Sequence, residues 1–329
     1  MHHGDVSPAI AQGLVKLRNR LAAAKIPSSK LDETINIAIW NIREFGKVHR
    51  TEPAIHYIAE ILGQFDLIGL VELRDDLTDL GRVLPILGPS WDVVYSDWIE
   101  DAGGNKERVG FLFDTRAVTF NGLAAEVDAV RDKKATEYLA EQSFWRAPYM
   151  CAFRSGNFDF IAIATHTRWG DSLEGREAEL QMLADWIKGR FKSKYIEDHD
   201  LIVMGDFNIP AIDDKLFKAL TSSGLQIPKS LIKLSDGERI VDGSNLLKNA
   251  RYDQILHLPT AKDRFSGKGG TFDFYADGVG ITELFPDKDY TVTKFSFQMS
   301  DHFPVWLQIE TDIDGDRLEQ IVKNGKKPN

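Results

Sequence analysis

The sequence contains a single cysteine, Cys151, in 329 residues. No internal disulfide can form, so the fold holds without covalent staples, and a reducing compartment suits it. Cys151 lies in the apolar run Ala147-Pro148-Tyr149-Met150-Cys151-Ala152-Phe153 and reads as a buried thiol, not a nucleophile. Positive charge is also in short supply. The 40 Lys and Arg stand against 50 Asp and Glu, a formal net charge of −10. That excludes attachment to nucleic acid through a broad basic surface. It leaves room for a few local arginines acting with a metal ion. No stretch approaches the ~20 apolar residues of a membrane span. The opening residues lack the apolar core of a secretory leader, since Asp5 precedes them and Lys16, Arg18 and Arg20 interrupt them. The expectation is a cytoplasmic protein without a membrane partner. Internal repeats and low-complexity tracts are missing too.

What remains is an ordinary globular composition, 43% hydrophobic and 27% charged. At roughly 150 residues per domain the length suggests two domains, but one large α/β sandwich can absorb most of it. Residues 7–24 read as a helix. Ser7-Pro8 supplies a cap and first turn, and Ile10, Leu14, Leu17 and Leu21 recur at helical spacing. That stripe either packs on the main domain or serves a protein partner or self-association. Strands are expected at 35–40, 66–71, 91–98, 108–113, 148–153, 158–165, 201–204, 253–258, 291–297 and 304–309. Helices are expected at 52–64 and 174–191, with a helical insertion at 123–142 and a frayed tail from Gly315. Strands interleaved with helices predict an α/β layered fold with buried sheets. The division expected is an N-terminal helical extension at 1–33, a main domain at 34–312 and a tail at 313–329.

The polar residues that stand out share one placement, next to apolar runs. Asn41 follows Ile37-Ala38-Ile39-Trp40, Glu72 follows Leu67 to Val71, and His166 follows Ile161 to Thr165. Asp206 and Asn208 follow Leu201 to Met204, and Asp301-His302 precedes Phe303-Pro304-Val305. Strand ends of this kind converge on one rim, where ligand sites commonly sit. Carboxylate and amide oxygens suit a hard cation such as Mg²⁺ or Mn²⁺. Such an ion offsets the repulsion between a phosphodiester and an attacking hydroxide, while histidines move protons. Each residue has a plainer reading: Asn41 as a turn residue, Glu72 as the start of a solvated loop, His166 as a core or surface histidine.

Taken together, the motifs Trp40-Asn41-Ile42-Arg43-Glu44-Phe45-Gly46, Val71-Glu72-Leu73-Arg74-Asp75, Lys106-Glu107-Arg108, Phe144-Trp145-Arg146-Ala147-Pro148, Gly205-Asp206-Phe207-Asn208, Tyr252-Asp253-Gln254-Ile255 and Ser300-Asp301-His302 carry a resemblance. The chain resembles the endonuclease/exonuclease/phosphatase superfamily over residues 34–310, and most of all its deoxyribonuclease I-like branch. The resemblance implies a four-layer sandwich, two central β-sheets flanked by helices, with the N-terminal helix as an addition. It implies Glu72 as main metal ligand, supported by Asn41, Asp206, Asn208 and Asp301. It implies catalytic His166 paired with Glu107 and catalytic His302 paired with Asp253. Arg146 matches a phosphate-contacting position, and Arg43 and Arg74 match positions facing a DNA minor groove. Asn105 stands where the branch has a groove-contacting tyrosine. The branch's disulfides are absent, which weakens any associated Ca²⁺ site. Asp312, Asp314 and Asp316 resemble a calcium loop without its distal glutamate. The function implied is a divalent-metal-dependent DNA endonuclease. The alternatives are a phosphatase or phosphodiesterase on inositol phosphates, lipids or small nucleotides, and an inactive binding scaffold.

Overall fold

A computed structural model describes the chain except residues 99–105, 129–142, 171, 212–213, 236–237 and 326–329. The chain runs through α1 (Pro8–Ala24), β1 (Thr34–Phe45), α2 (Glu52–Leu62), β2 (Leu67–Leu73), α3 (Thr78–Leu87), β3 (Trp91–Tyr95) and β4 (Arg108–Asp114). It continues with β5 (Thr119–Glu126), β6 (Tyr149–Ser155), β7 (Phe158–His166), α4 (Leu173–Arg190), β8 (Leu201–Asp206) and α5 (Lys215–Thr221). The last third holds β9 (Ile232–Ser235), β10 (Glu238–Val241), β11 (Asp253–His257), β12 (Phe265–Thr271), α6 (Val279–Leu284), α7 (Val292–Gln298), β13 (Val305–Glu310) and α8 (Asp314–Gly325).

Two mixed sheets form the centre. One runs β12-β13-β1-β2-β4-β3 and the other β11-β8-β7-β6-β5, while β9 and β10 pair as a separate hairpin. Alternation along β1 explains the layering. Ile35, Ile37 and Ile39 enter the core between the sheets with Phe111, Phe153, Ile163 and Met204. Ala38, Trp40 and Ile42 point the other way, into a second core with α1, α2 and α3. The outer face of the second sheet is covered by Leu180, Leu183 and Ile187 of α4 and Leu216 and Leu220 of α5. The result is the expected four-layer α/β sandwich.

Two parallel strand pairs set up the rim. β1 runs parallel to β2, with Asn41 opposite Val71. β7 runs parallel to β8, with His166 opposite Asp206. Parallel neighbours end on the same side, so Asn41, Glu72, His166 and Asp206 reach one edge. β11 is antiparallel to β8 and starts there, placing Asp253 opposite Asp206.

Several expectations need correction. Residues 291–297 form α7, not a strand; the Thr291 hydroxyl caps it by accepting from the Lys294 N–H, and tertiary burial of Phe295 overrides the β-branched Val292 and Thr293. Residues 123–126 belong to β5, and most of the expected helical insertion, like Asn105, lies outside the described residues. The tail is helical in α8 rather than frayed from Gly315. Asp312 and Asp314 serve the start of that helix, with Asp312 Oδ1 accepting from the Asp314 N–H. The apolar stripe of α1 is consumed inside the chain, because Ile10, Leu14, Leu17 and Leu21 are all buried in the core shared with α2 and α6. Among the described residues, no helix is long and apolar enough to cross a membrane.

Candidate active site

Asp206 is the hub of the rim. Its Oδ2 accepts from Asn41 Nδ2 at 3.0 Å, and the same amide donates to Glu72 Oε1 at 3.1 Å. Its Oδ1 accepts from the Asn208 N–H at 2.9 Å. Oδ2 also lies 3.8 Å from His166 Nε2 and 3.8 Å from His302 Nδ1. One carboxylate therefore stands between two imidazoles, and each imidazole has its own acid behind it. His166 Nδ1–H donates to Glu107 Oε2 at 2.9 Å, and His302 Nδ1–H donates to Asp253 Oδ2 at 2.6 Å. With Nδ1 tied down, Nε2 is the nitrogen left on each ring to bind or move a proton.

These environments move proton affinities. Burial pushes the Glu107 carboxyl up, but the hydrogen bond from His166 and the charges of His166, Arg146 and Arg74 outweigh it and hold the group at about 2. Burial and Arg146 depress His166, yet Glu107 and Asp206 leave it raised. Burial likewise opposes protonation of His302, and Asp253 and Asp206 overcome it, raising the ring well above its ordinary value. Complete burial raises Asp253.

The backbone is held in uncommon conformations here. Glu44, Glu72, Lys106 and Asn208 all have positive φ, at 45°, 63°, 49° and 53°. Each costs about 1 kcal/mol or more and persists only where the surroundings dictate it. Supports are visible. Glu72 Oε2 accepts from the Glu44 N–H at 2.7 Å, and Asn208 Nδ2 donates to the Thr167 carbonyl at 2.8 Å. Ser300, fully buried, donates to the Asn41 carbonyl at 2.6 Å and accepts from the Arg43 and His302 amides. Buried Arg50 donates to the carbonyls of Arg43, Glu44 and Val48, knitting the loop after β1. At Gly46, with φ 106°, a Cβ would meet the Asp76 carbonyl oxygen at 1.9 Å, so only glycine lets these loops touch. Sequence reasoning passed over Ser300 and Arg50, whose roles need partners distant in sequence.

The donor set fits a divalent cation. Asn41 Oδ1 and Asp253 Oδ1 are buried acceptors that make no hydrogen bond, an expensive state unless another group meets them. Asp206, Asp253 and His302 each offer a ligand atom within 4.8 Å of the others. Glu72 adds a further carboxylate beside Asn41.

The arginines divide. Arg146 lies against Glu107, with Nε at 2.5 Å from Oε2 and Nη2 donating to Oε1 at 3.0 Å. Its Nη1 is a buried donor without an acceptor. Arg43 sits at the rim, stacked 4.0 Å over the Phe297 ring, bonded to Ser296 Oγ and 3.4 Å from Asp301 Oδ2. Asp301 is thus engaged with Arg43 and partly exposed, and its charge also acts on His302. Arg74 departs from expectation. Only 3% exposed, it lies among Glu44, Glu72 and Glu107. Three carboxylates hold it beneath the site, where it organises Glu72 and Glu107 rather than reaching a groove.

An α/β sandwich whose parallel strand ends gather two carboxylate-tethered imidazoles around an acid–amide cluster defines the class: a hydrolase of phosphoesters. The chain belongs to the endonuclease/exonuclease/phosphatase family, whose model matches residues 38–302. Members of that family hydrolyse phosphoesters. The fold is similar to the human Nocturnin catalytic domain with bound sulfate anion, at 16% identity and TM-score 0.55, covering 85% of this chain and 95% of that one. It is similar also to an endonuclease/exonuclease/phosphatase from Bacteroides vulgatus, at 13% identity and TM-score 0.55, covering 84% and 98%. Truncated Caenorhabditis elegans TDP2 gives 12% identity and TM-score 0.55, covering 84% and 97%. No curated protein matches the sequence.

Proposed function

We propose that the protein is a divalent-metal-dependent nuclease that cuts DNA by hydrolysing backbone phosphodiesters. The observation that carries the reading is Asp206 Oδ2 placed 3.8 Å from both His166 and His302, each imidazole backed by its own carboxylate. An in-line displacement needs one group to orient the attacking water and another to protonate the leaving oxygen. Asp206 stands between the rings, 3.8 Å from His166 Nε2 and 3.8 Å from His302 Nδ1, and Nε2 is the nitrogen each ring has left for those tasks. One imidazole takes a proton from the water as its oxygen attacks phosphorus, the P–O bond to the leaving oxygen breaks, and the other ring, as imidazolium, gives that oxygen its proton. Glu107 and Asp253 fix the tautomers and stabilise the protonated rings. Arg146 Nη1 and Asn208 bind the phosphate oxygens, and Arg43 at the rim meets the flanking backbone. Mg²⁺ or Mn²⁺, held by Glu72, Asn41 and Asp206, would supply charge neutralisation at the phosphate.

The test is nicking of supercoiled plasmid with Mg²⁺ or Mn²⁺ by the wild type, Glu72→Ala and His302→Ala. The expected result is metal-dependent nicking that both variants lose. Equal nicking by all three would refute the assignment. Burial of Arg74 and the net charge of −10 favour a second reading, a phosphatase or phosphodiesterase on smaller phosphoesters. Phosphate release from inositol phosphates that DNA does not inhibit would select it.

A further inference from the structure

The rim carries exposed tryptophans and half-buried arginines that the proposed hydrolysis does not use. Trp169 lies three residues after His166 and is 66% exposed; Trp145 precedes Arg146 and is 52% exposed. Rings of this size are seldom left so open, and two of them beside a polar cleft call for a ligand. Tyr252 bridges from Trp169 to the catalytic cluster. Its ring centroid is 6.0 Å from the Trp169 ring, edge-on at 89°, and 6.0 Å from the His302 ring. Two arginines accompany the tryptophans, Arg168 at 5.0 Å over the Trp145 ring and Arg176 at 5.9 Å over the Trp169 ring.

Internal bonds hold this arrangement. Glu179 on α4 is buried, and it accepts from the Trp145 N–H with Oε1 and from the Arg168 N–H with Oε2, both at 2.8 Å. One carboxylate thereby fixes the two loops that carry the aromatic surface. Arg176, on the same helix, donates to the Asn208 carbonyl at 3.1 Å and ties that surface to the strand-end loop of the site. On a chain of net charge −10, Arg168 and Arg176 place guanidinium groups beside the rings. Exposed rings, each with a guanidinium over one face and continuous with the proposed phosphate-cleaving cluster, match alternating bases and phosphates.

We propose that Trp169 with Tyr252, and Trp145 with Arg168, form a stacking shelf for unpaired nucleobases flanking the scissile phosphate. The inference rests on the nuclease reading and adds the form of the strand. A base within a duplex has both faces covered by its neighbours and cannot lie on a tryptophan, whereas a base in a single strand, flap or gap can. Stacking is also indifferent to base identity, so the shelf selects unpaired structure and not sequence.

The experiment compares a fluorescein-labelled 12-nucleotide single strand, the same strand with two internal bases replaced by base-free tetrahydrofuran units, and the corresponding duplex. Binding is followed by anisotropy in EDTA at low salt, and cleavage by gel with Mn²⁺. The intact single strand should bind about tenfold more tightly than the base-free strand or the duplex, the order expected for stacking of one or two bases. Trp169→Ala should abolish that gap by weakening only the intact strand, and Trp169→Phe should keep most of it. In cleavage, Trp169→Ala should raise KM for the intact strand by a larger factor than for the base-free strand. Equal affinity of the wild type for intact and base-free strands, or equal weakening of both by Trp169→Ala, overturns the shelf. Base-dependent binding without cleavage of any strand supports the shelf and refutes the nuclease reading. Duplex nicking without base dependence does the reverse. Full competition by a dinucleotide at equal base concentration would overturn the strand-binding shelf in favour of a small-nucleotide site, and its failure to compete supports the shelf.

Discussion

Gly205 is where fold and site are most tightly joined, and Gly205→Ala perturbs both. Gly205 pairs with Thr165 across the parallel β7–β8 contact, one residue before the His166–Asp206 pair. A Cβ at position 205 would meet the Thr165 carbonyl oxygen at 2.0 Å and the Thr165 carbonyl carbon at 2.9 Å. The obstacle is strand backbone, so no rotamer change relieves it. Restoring an ordinary contact of 3.4 Å or more needs the strands to part by more than about 1 Å. Overpacking of this kind costs about 1–3 kcal/mol, and the backbone obstacle places the expected loss near 3 kcal/mol. The same displacement falls on His166 and Asp206, whose Nε2 and Oδ2 are 3.8 Å apart. A misplacement of about 1 Å costs on the order of a hundredfold in rate. Urea denaturation should show a lower midpoint with an unchanged m-value, and phosphodiesterase kcat should fall about a hundredfold where the protein is still folded. Wild-type stability together with wild-type kcat would refute the reasoning.

Further expectations follow from other parts of the molecule. Burial raises Asp66 to about 6 against hydrogen bonds from the Asn36 N–H and Ser29 hydroxyl. The folded state keeps this proton up to about pH 6 while the unfolded chain releases it near 4. Folding stability therefore falls as pH rises between those values, by as much as about 3 kcal/mol. Asp66→Asn, which can accept from Asn36 and donate to Ser29, should flatten that slope in denaturant titrations at pH 4 to 7; an unaltered slope would show that Asp66 is not its source. Leu17 of α1 is fully buried against α2 and α6, so Leu17→Ala should cost about 2–5 kcal/mol. A loss under 0.5 kcal/mol would mean that α1 is not part of the folded core. Glu107→Gln removes the acceptor charge shared by His166, Arg146 and Arg74. It should lower kcat by about tenfold to a hundredfold and leave the far side of the fold, followed by hydrogen exchange in β12 and β13, unchanged. Wild-type kcat would contradict the positioning ascribed to it.

The sequence made the strand-end residues legible because each follows an uninterrupted apolar run. Asn41, Glu72, His166 and Asp206 could be read that way, and the parallel pairing brings all of them to one rim. The supports were not legible. An arginine next to Asp75 reads as a surface residue, and only the approach of Glu44, Glu72 and Glu107 shows why Arg74 is buried. Glu179 reads as one acid among many on α4, and its clamp on Trp145 and Arg168 depends on two separate loops. At residues 291–297 only Val292, Phe295 and Phe297 are apolar, too few to separate strand from helix by periodicity, and the Thr291 cap decided it. Local pattern reveals where a side chain is presented, whereas its partners depend on chain segments that no local pattern connects.

The central claim is that Asp206 and its neighbours hydrolyse a phosphodiester with a divalent cation. It is tested most directly by hydrolysis of bis(p-nitrophenyl) phosphate, followed by absorbance, during titration with Mn²⁺ or Mg²⁺ of the wild type and Asp206→Asn. This substrate needs no DNA contacts and reports the chemistry alone. The account predicts turnover that rises saturably with metal, vanishes in EDTA and falls by at least about a hundredfold in Asp206→Asn. Turnover that persists in EDTA, or that Asp206→Asn leaves undiminished, would contradict it.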